Sequence, residues 1–221
     1  MRAQLLLSFA AVVSLVVPQA APSADELARA LQAKYAGVSD FSANFVHSYR
    51  GGVLKKAASE RGTVVIKKPA RMRWVYESPE KKIFVADGMR VYSYIPEDRQ
   101  VIVSRVPAED EATTPALFLT GKGNLQRDFM ASIVPPPAGA PPDTWAVKFT
   151  PRRHEVEYEW MVLVVERSRF RIRTLITADA QGGQSTFVFT NIRENVGVSD
   201  KEFQFTIPHG VDVINNAQPG R

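Results

Sequence analysis

The chain contains no cysteine, and that absence removes disulfides, thiolate zinc sites, thiol nucleophiles and any lipid attached through a cysteine. Histidine is scarce, present only as His47, His154 and His209. Isolated histidines do not resemble a metal site, and no GxSxG elbow surrounds a serine that one of them might activate. There is no HExxH, and GKGN at Gly121 lacks the spacing of a phosphate-binding loop. These absences predict neither metal nor cofactor and argue against an enzyme. Charge is not concentrated either: 28 Lys and Arg against 23 Asp and Glu give +5 and a pI near 9.5, but the two signs are interspersed, which argues against nucleic acid. A mildly basic surface suits acidic proteins, anionic head groups or plain solvation.

Long apolar runs are missing as well. The run from Leu5 to Val17 is too short to span a bilayer as a helix. With one basic residue before it and small residues from Ala20 to Ala24, it has the layout of a secretory signal peptide. The expectation is an exported chain, with residues 1–22 as signal peptide cleaved at about 20–24, one domain over 23–213, and a loose tail over 214–221.

What is present is strand grammar. Lys67 to Tyr94 packs three strand signals and two turn signals into one run: Pro69 ends one strand, Met72, Trp74 and Tyr76 alternate along the next, and Ser78-Pro79 turns the chain. Lys81 to Ala86 follows, then Asp87-Gly88 as a two-residue hairpin turn, then Met89 to Ile95. Large apolar groups fall on both faces of these strands, whereas an open antiparallel sheet usually wets one. The second face therefore needs cover, either as a sandwich or helix-covered sheet, or as a curved sheet whose inner face lines an apolar cavity.

Ser23 with Glu26 matches a capping box, so a helix is predicted to start there, with Leu27, Ala30, Leu31 and Tyr35 at helical spacing and Gly37 ending it in a left-handed conformation. From Phe41 the period becomes two, through Phe45, His47 and Tyr49, and a Gly51-Gly52 turn leads to a strand from about Arg61 to Ile66. Gln100 to Arg105 is another strand. Thr114 and Pro115 fit the N-cap and first position of a short apolar helix ending at Gly121, a candidate lid containing Leu117, Phe118 and Leu119. Asn124 to Ile133 reads as a further helical turn or two. Pro135 to Pro142 is a stiff surface excursion. Strands are then expected over Trp145–Thr150, Glu155–Glu166, Phe170–Asp179 and Ser185–Asn191, with Phe203, Phe205 and Ile207 as a last edge segment. Glu155, Glu157 and Glu159 share a strand face, read as a solvated exterior. Aromatics are dense in the strand and lid candidates, among them Phe45, Trp74, Tyr92, Trp145, Phe149, Phe187 and Phe189. Singly each is ordinary core, and together they make a binder of an apolar ligand credible.

FSANFV from Phe41, KPARMRW from Lys68, Pro79 with Asp87-Gly88, VYSYIP from Val91, TPALFL from Thr114 and FQFTIPHGV from Phe203 together resemble the LolA family of periplasmic outer-membrane lipoprotein carriers, in order and spacing over essentially the whole mature chain. The resemblance implies a mainly β fold with short helices, an unclosed, strongly curved antiparallel β-barrel covered by an α-helical lid. It implies a cavity for lipoprotein acyl chains, for which Phe45, Trp74, Tyr92, Leu117, Leu119 and Trp145 are the candidate lining. It also implies that Lys68, where the family commonly carries Arg, latches the lid by donating to backbone carbonyls; Lys keeps the charge but not the planar multi-donor fork. The implied partners are acylated lipoproteins, an inner-membrane lipoprotein-releasing ABC transporter and an outer-membrane acceptor lipoprotein, with this chain a monomer that shows no ATP-site motif of its own. The acceptor itself, anchored through a cysteine, is excluded. Alternatives are an envelope-stress sensor on the same half-barrel, a carrier of another lipid, or a serine hydrolase.

Overall fold

The computed structural model describes residues 21–51, 56–106, 120, 123–153 and 158–216. Residues 1–20 of the expected signal peptide, the lid candidate up to Leu119 with its Leu117, Glu155, Glu157 and residues 217–221 lie outside the described residues.

Helix α1 spans Ala24–Ala36 and opens on the expected capping box: the Ser23 hydroxyl accepts from the Glu26 amide while the Glu26 carboxylate accepts from the Ser23 amide. Leu27, Ala28, Leu31 and Tyr35 form its buried stripe, with Ala28 rather than Ala30 facing inward. Gly37 ends the helix with φ −83°, in the right-handed region rather than the left-handed one expected. The chain is turned instead by Asn195, whose side chain accepts from the Ser39 amide and donates to the Gly37 carbonyl.

The strands are β1 Asp40–Gly51, β2 Lys56–Lys67, β3 Arg71–Ser78, β4 Lys82–Asp87, β5 Arg90–Ile95, β6 Gln100–Arg105, β7 Phe129–Val134, β8 Thr144–Pro151, β9 Trp160–Glu166, β10 Ile172–Ala178, β11 Gly183–Glu194 and β12 Asp212–Asn215. A one-turn helix, α2, covers Leu125–Asp128, and a 3-10 turn covers Asp200–Phe203. All strands form one twelve-stranded sheet in the order β12-β6-β5-β4-β3-β2-β1-β11-β10-β9-β8-β7. Every neighbouring pair is antiparallel except β12 with β6. The long β1–β11 pair joins the two halves, and β12 and β7 end the sheet as separate edges, so the barrel stays open. Register shifts at Ser42/Asn44, Arg61/Gly62 and Ile172/Thr174 supply the bends by which the sheet curls.

Several expectations are corrected. The β4–β5 loop is Gly88-Met89, one residue later than expected, because the Asp87 carboxylate accepts from the Met89 and Arg90 amides and stays at the strand end. After Asn124 one helical turn gives way to β7, not to a longer helix. The ninth strand begins only at Trp160, and Phe170 lies before β10 in a turn with φ 53°. Phe203 to Ile207 is not an edge strand: Phe203 closes the 3-10 turn, and the edge is taken by β12, which extends past Val213 to Asn215.

Apolar side chains sit on both faces. The main core follows the concave side, from Leu27, Leu31 and Tyr35 of α1 through Phe41, Phe45, Trp74, Val147, Phe149, Leu163 and Phe189. On the convex side Ala146, Val162, Val164 and Ile176 form a second cluster, against which Ala140 of the proline-rich excursion packs. At the other end Val85, Val101 and Val103 are buried on the convex side, and there the Phe205 ring lies 5.3 Å from Tyr92 and 5.9 Å from Tyr94 between ring centres.

Gly62 is the tightest point of the concave wall, paired with Phe45 on one side and Tyr76 on the other. A Cβ there would run into the Val75 carbonyl and the Phe45 ring. Gly62→Ala is expected to destabilise the fold by about 1–3 kcal/mol or more through overpacking, read as a lower urea midpoint at unchanged slope.

Candidate ligand-binding face

Cross-strand register assigns each candidate to a face. Phe45 opposes Gly62 on β2 and Phe189 on β11, and Trp74 opposes Val64 and Phe84. Side chains directly opposite share a face, so Phe45, Trp74, Phe84, Phe187 and Phe189 form one concave wall. Phe45 is the hub: its ring centre lies 5.1 Å from Trp74, 4.8 Å from Tyr76 and 6.0 Å from Phe187. Trp74 lies 5.5 Å from Phe187 and 6.3 Å from Phe189. Tilted and edge-on rings at such separations gain beyond their buried area.

Trp145 joins this wall from the far half of the sheet, opposite Val165, and packs partly buried against the main core. The Arg167 guanidinium covers its ring at 3.9 Å. Tyr92 does not join it. It pairs with Val85 and Val103, one residue out of phase with Phe84, and so faces the convex side against Phe205. Tyr92 is therefore withdrawn from the cavity lining.

Lys68 sits with Pro69 and Ala70 in the turn between β2 and β3. Its ammonium donates to the carbonyl of Tyr35 in the last turn of α1, where a cation also meets the negative end of the helix dipole. Burial holds its pKa below the ordinary lysine value. Two residues on, the Ala70 amide donates to the Thr120 carbonyl at 3.2 Å. One turn thus touches both α1 and Thr120, the last residue of the lid candidate. Helix α1 is held elsewhere too: its buried Tyr35 hydroxyl accepts from the Ile172 amide at 2.9 Å, Lys34 pairs with Glu194 at 2.7 Å, and Gln32 accepts from the Leu125 amide at the start of α2.

The sequence reading missed a polar group at the end of the wall. His47 stacks on Phe187 with ring centres 4.1 Å apart and planes 2° from parallel. Its Nδ1 is 3.1 Å from a Glu60 oxygen, whose other oxygen accepts from Lys82 at 2.6 Å. Alternation placed His47 on the Phe45 face, but nothing local in sequence links it to Glu60 or Lys82. Burial lowers the His47 pKa from its ordinary 6.5, only partly offset by Glu60. Burial pushes Glu60 upward, yet the bonds from Lys82 and His47 leave it below its ordinary 4.5.

The fold and this face define an unclosed, helix-covered antiparallel half-barrel with an aromatic concave wall. The profile of the family described as outer membrane lipoprotein carrier protein LolA matches residues 36–206, and the chain belongs to that family. A relative from Hahella chejuensis named outer-membrane lipoprotein carrier protein is 30% identical over 216 residues, covering 96% of this chain and 97% of its own. One of the same name from Nitrosomonas europaea is 28% identical, covering 80% and 82%. Among solved structures, an uncharacterized conserved protein from Thermus thermophilus shares the fold with a TM-score of 0.54 at 12% identity, covering 87% of this chain and 99% of that one. Among the described residues no helix is long and apolar enough to cross a membrane.

The His47 shift fixes a pH dependence. Its folded pKa lies below the unfolded one, so between the two the unfolded chain binds more protons and stability falls as pH falls. Glu60, also depressed, extends the loss in the same direction below its ordinary 4.5. The thermal midpoint is expected to drop from about pH 7 to pH 5. His47→Phe, which keeps a ring on Phe187, is expected to flatten the upper part of that slope in scanning calorimetry.

Proposed function

We propose that this protein is a periplasmic carrier that receives acylated lipoproteins from an inner-membrane lipoprotein-releasing ABC transporter and hands them to an outer-membrane acceptor lipoprotein, acting as a monomer after its signal peptide is removed. The observation that carries this reading is the continuous aromatic concave wall, in a chain whose family is described as lipoprotein carriers. Phe45, Trp74 and Trp145 are the described part of the acyl-chain lining, and Leu117 and Leu119 belong to it by the family resemblance.

The transfer needs no covalent step. Each buried methylene stabilises by about 0.8 kcal/mol, so complete burial of acyl chains would hold cargo too tightly to pass on. Partial burial, offset by the cost of moving the lid, gives a load that can be released. Lys68 supplies part of that cost by anchoring to α1 the turn whose Ala70 amide holds Thr120 of the lid candidate, so losing the anchor favours the open, loaded form.

Purified mature protein added to energised inner-membrane vesicles carrying the cognate transporter is expected to bring lipoproteins into the soluble fraction as stoichiometric complexes. A folded protein that releases none overturns the reading. Lys68→Ala is expected to retain cargo about tenfold more tightly, the equivalent of one charge-assisted hydrogen bond, and to pass it more slowly to the acceptor. Unchanged retention and transfer would remove the latch.

A further inference from the structure

Beyond Phe45 the concave wall changes character. His47 follows on β1, Glu60 lies opposite it on β2, Ser185 comes from β11 and Lys82 from β4. Ser185 pairs with Tyr49 and lies two residues from Phe187, so its side chain belongs to the same face. The His47 Nε2 is 3.3 Å from the Ser185 hydroxyl, Nδ1 is 3.1 Å from Glu60, and Lys82 reaches Glu60 at 2.6 Å. The Lys82 ammonium also lies 3.7 Å from Glu80 and 6.0 Å from the centre of the Tyr76 ring. The His47, Glu60 and Lys82 side chains are 16%, 15% and 25% exposed, so the group forms a rim rather than a sealed core.

The bonding partners fix the proton positions. An ionised carboxylate only accepts, so His47 Nδ1 carries the proton toward Glu60, Nε2 is the acceptor, and the Ser185 hydroxyl donates to it. This leaves the Ser185 oxygen able to accept and Lys82 with N–H capacity beyond Glu60. A donor and an acceptor therefore stand at the end of a wall made of Phe45, Tyr76 and Phe187. That pattern matches an amphiphile whose tail ends in a carbonyl next to an O–H or N–H, as in an acyl ester of glycerol or an acylated peptide.

We propose that Ser185, oriented by His47, and Lys82 form a polar subsite that binds the carbonyl-bearing head of an acyl ligand whose tail lies along Phe45, Trp74 and Phe187. This rests on the acyl-carrier reading above and adds to it a preference for the head group. His47 and Glu60 are positioning residues, which hold Ser185 and Lys82 without needing to touch the ligand themselves.

The test uses brominated tails, which quench tryptophan fluorescence when they lie beside Trp74. Three probes delivered from cyclodextrin suffice: 9,10-dibromooctadecane with no head, the monoglyceride of 9,10-dibromostearic acid, and a short peptide acylated with the same chain. Wild type is expected to bind both headed probes more tightly than the bare alkane. Ser185→Ala is expected to lose about tenfold in affinity for a headed probe and none for the alkane, and Thr186→Ala, on the opposite face, to change neither. Loss with the glyceride alone assigns the subsite to lipid esters, and loss with the peptide alone assigns it to acylated protein; either upholds it. An equal loss for all three probes, or no loss for any, overturns the subsite and leaves the carrier reading intact. If folded wild type is quenched by none of the probes, the acyl-binding reading fails and the subsite with it.

Discussion

A sheet twelve strands wide that does not close must hide apolar side chains on two faces, with no second sheet among the described residues to do it. The rest of the chain is distributed by that requirement. Helices α1 and α2 pack at the β7 and β8 end of the concave side. The proline-rich excursion drops Ala140 onto the convex cluster of β8 to β10. The C-terminal segment crosses the convex side of β3 to β6, where the Arg73 guanidinium donates to the Glu202 and Gln204 carbonyls and Lys67 pairs with Asp200 at 2.6 Å. Those surface charges hold little by themselves. What fixes the strap is Phe203, fully buried beneath it.

The covers are not equivalent. Helix α1 is bonded to the sheet through Tyr35, Lys34 and Lys68 and to α2 through Gln32, with a buried hydroxyl and a buried stripe among the ties. Removing it would strand the Ile172 amide, a cost of about 1–3 kcal/mol before any apolar area is counted. It is a fixed roof. The turn holding Lys68 to α1 is also the turn in which Ala70 holds Thr120, the last residue of the lid candidate. Thr120 is thereby tied through three consecutive residues to a helix fixed on the sheet.

Most strands were legible because alternation survives in sequence wherever one face meets a core. β1 shows it from Phe41 to Tyr49, and β3 from Met72 to Tyr76. The capping box of α1 was legible for the same reason, being wholly local. Three features were not. Phe203, Phe205 and Ile207 alternate like a strand, but period two shows only that a segment is extended, not that it is paired in a ladder. β12 carries no alternation, since its side chains are all exposed and backbone pairing to β6 alone defines it. Tyr92 belongs to the wall by size and to the other face by parity, and parity had to be carried across two hairpins to decide it. The His47 group lay beyond any local signal, because its members come from four strands separated by as many as 138 residues.

The wall runs from aromatic at Phe45 and Phe189 to polar at His47, and on the proposed reading that gradient bears on how a carrier can let go. Along Phe45, Phe187 and Phe189 the wall is aromatic, so on the proposed reading a tail placed there gains in proportion to its length. At the His47 end the groups are already bonded to one another, Glu60 to both Lys82 and His47. A ligand head arriving there trades hydration for bonds of similar strength, and the net gain is small. On the proposed reading, tail length sets how tightly cargo is held, while the rim sets which cargo is held and in which direction. An affinity weighted toward one end of the groove is withdrawn stepwise as the tail slides out, so release needs no single step that opposes the whole of the burial energy.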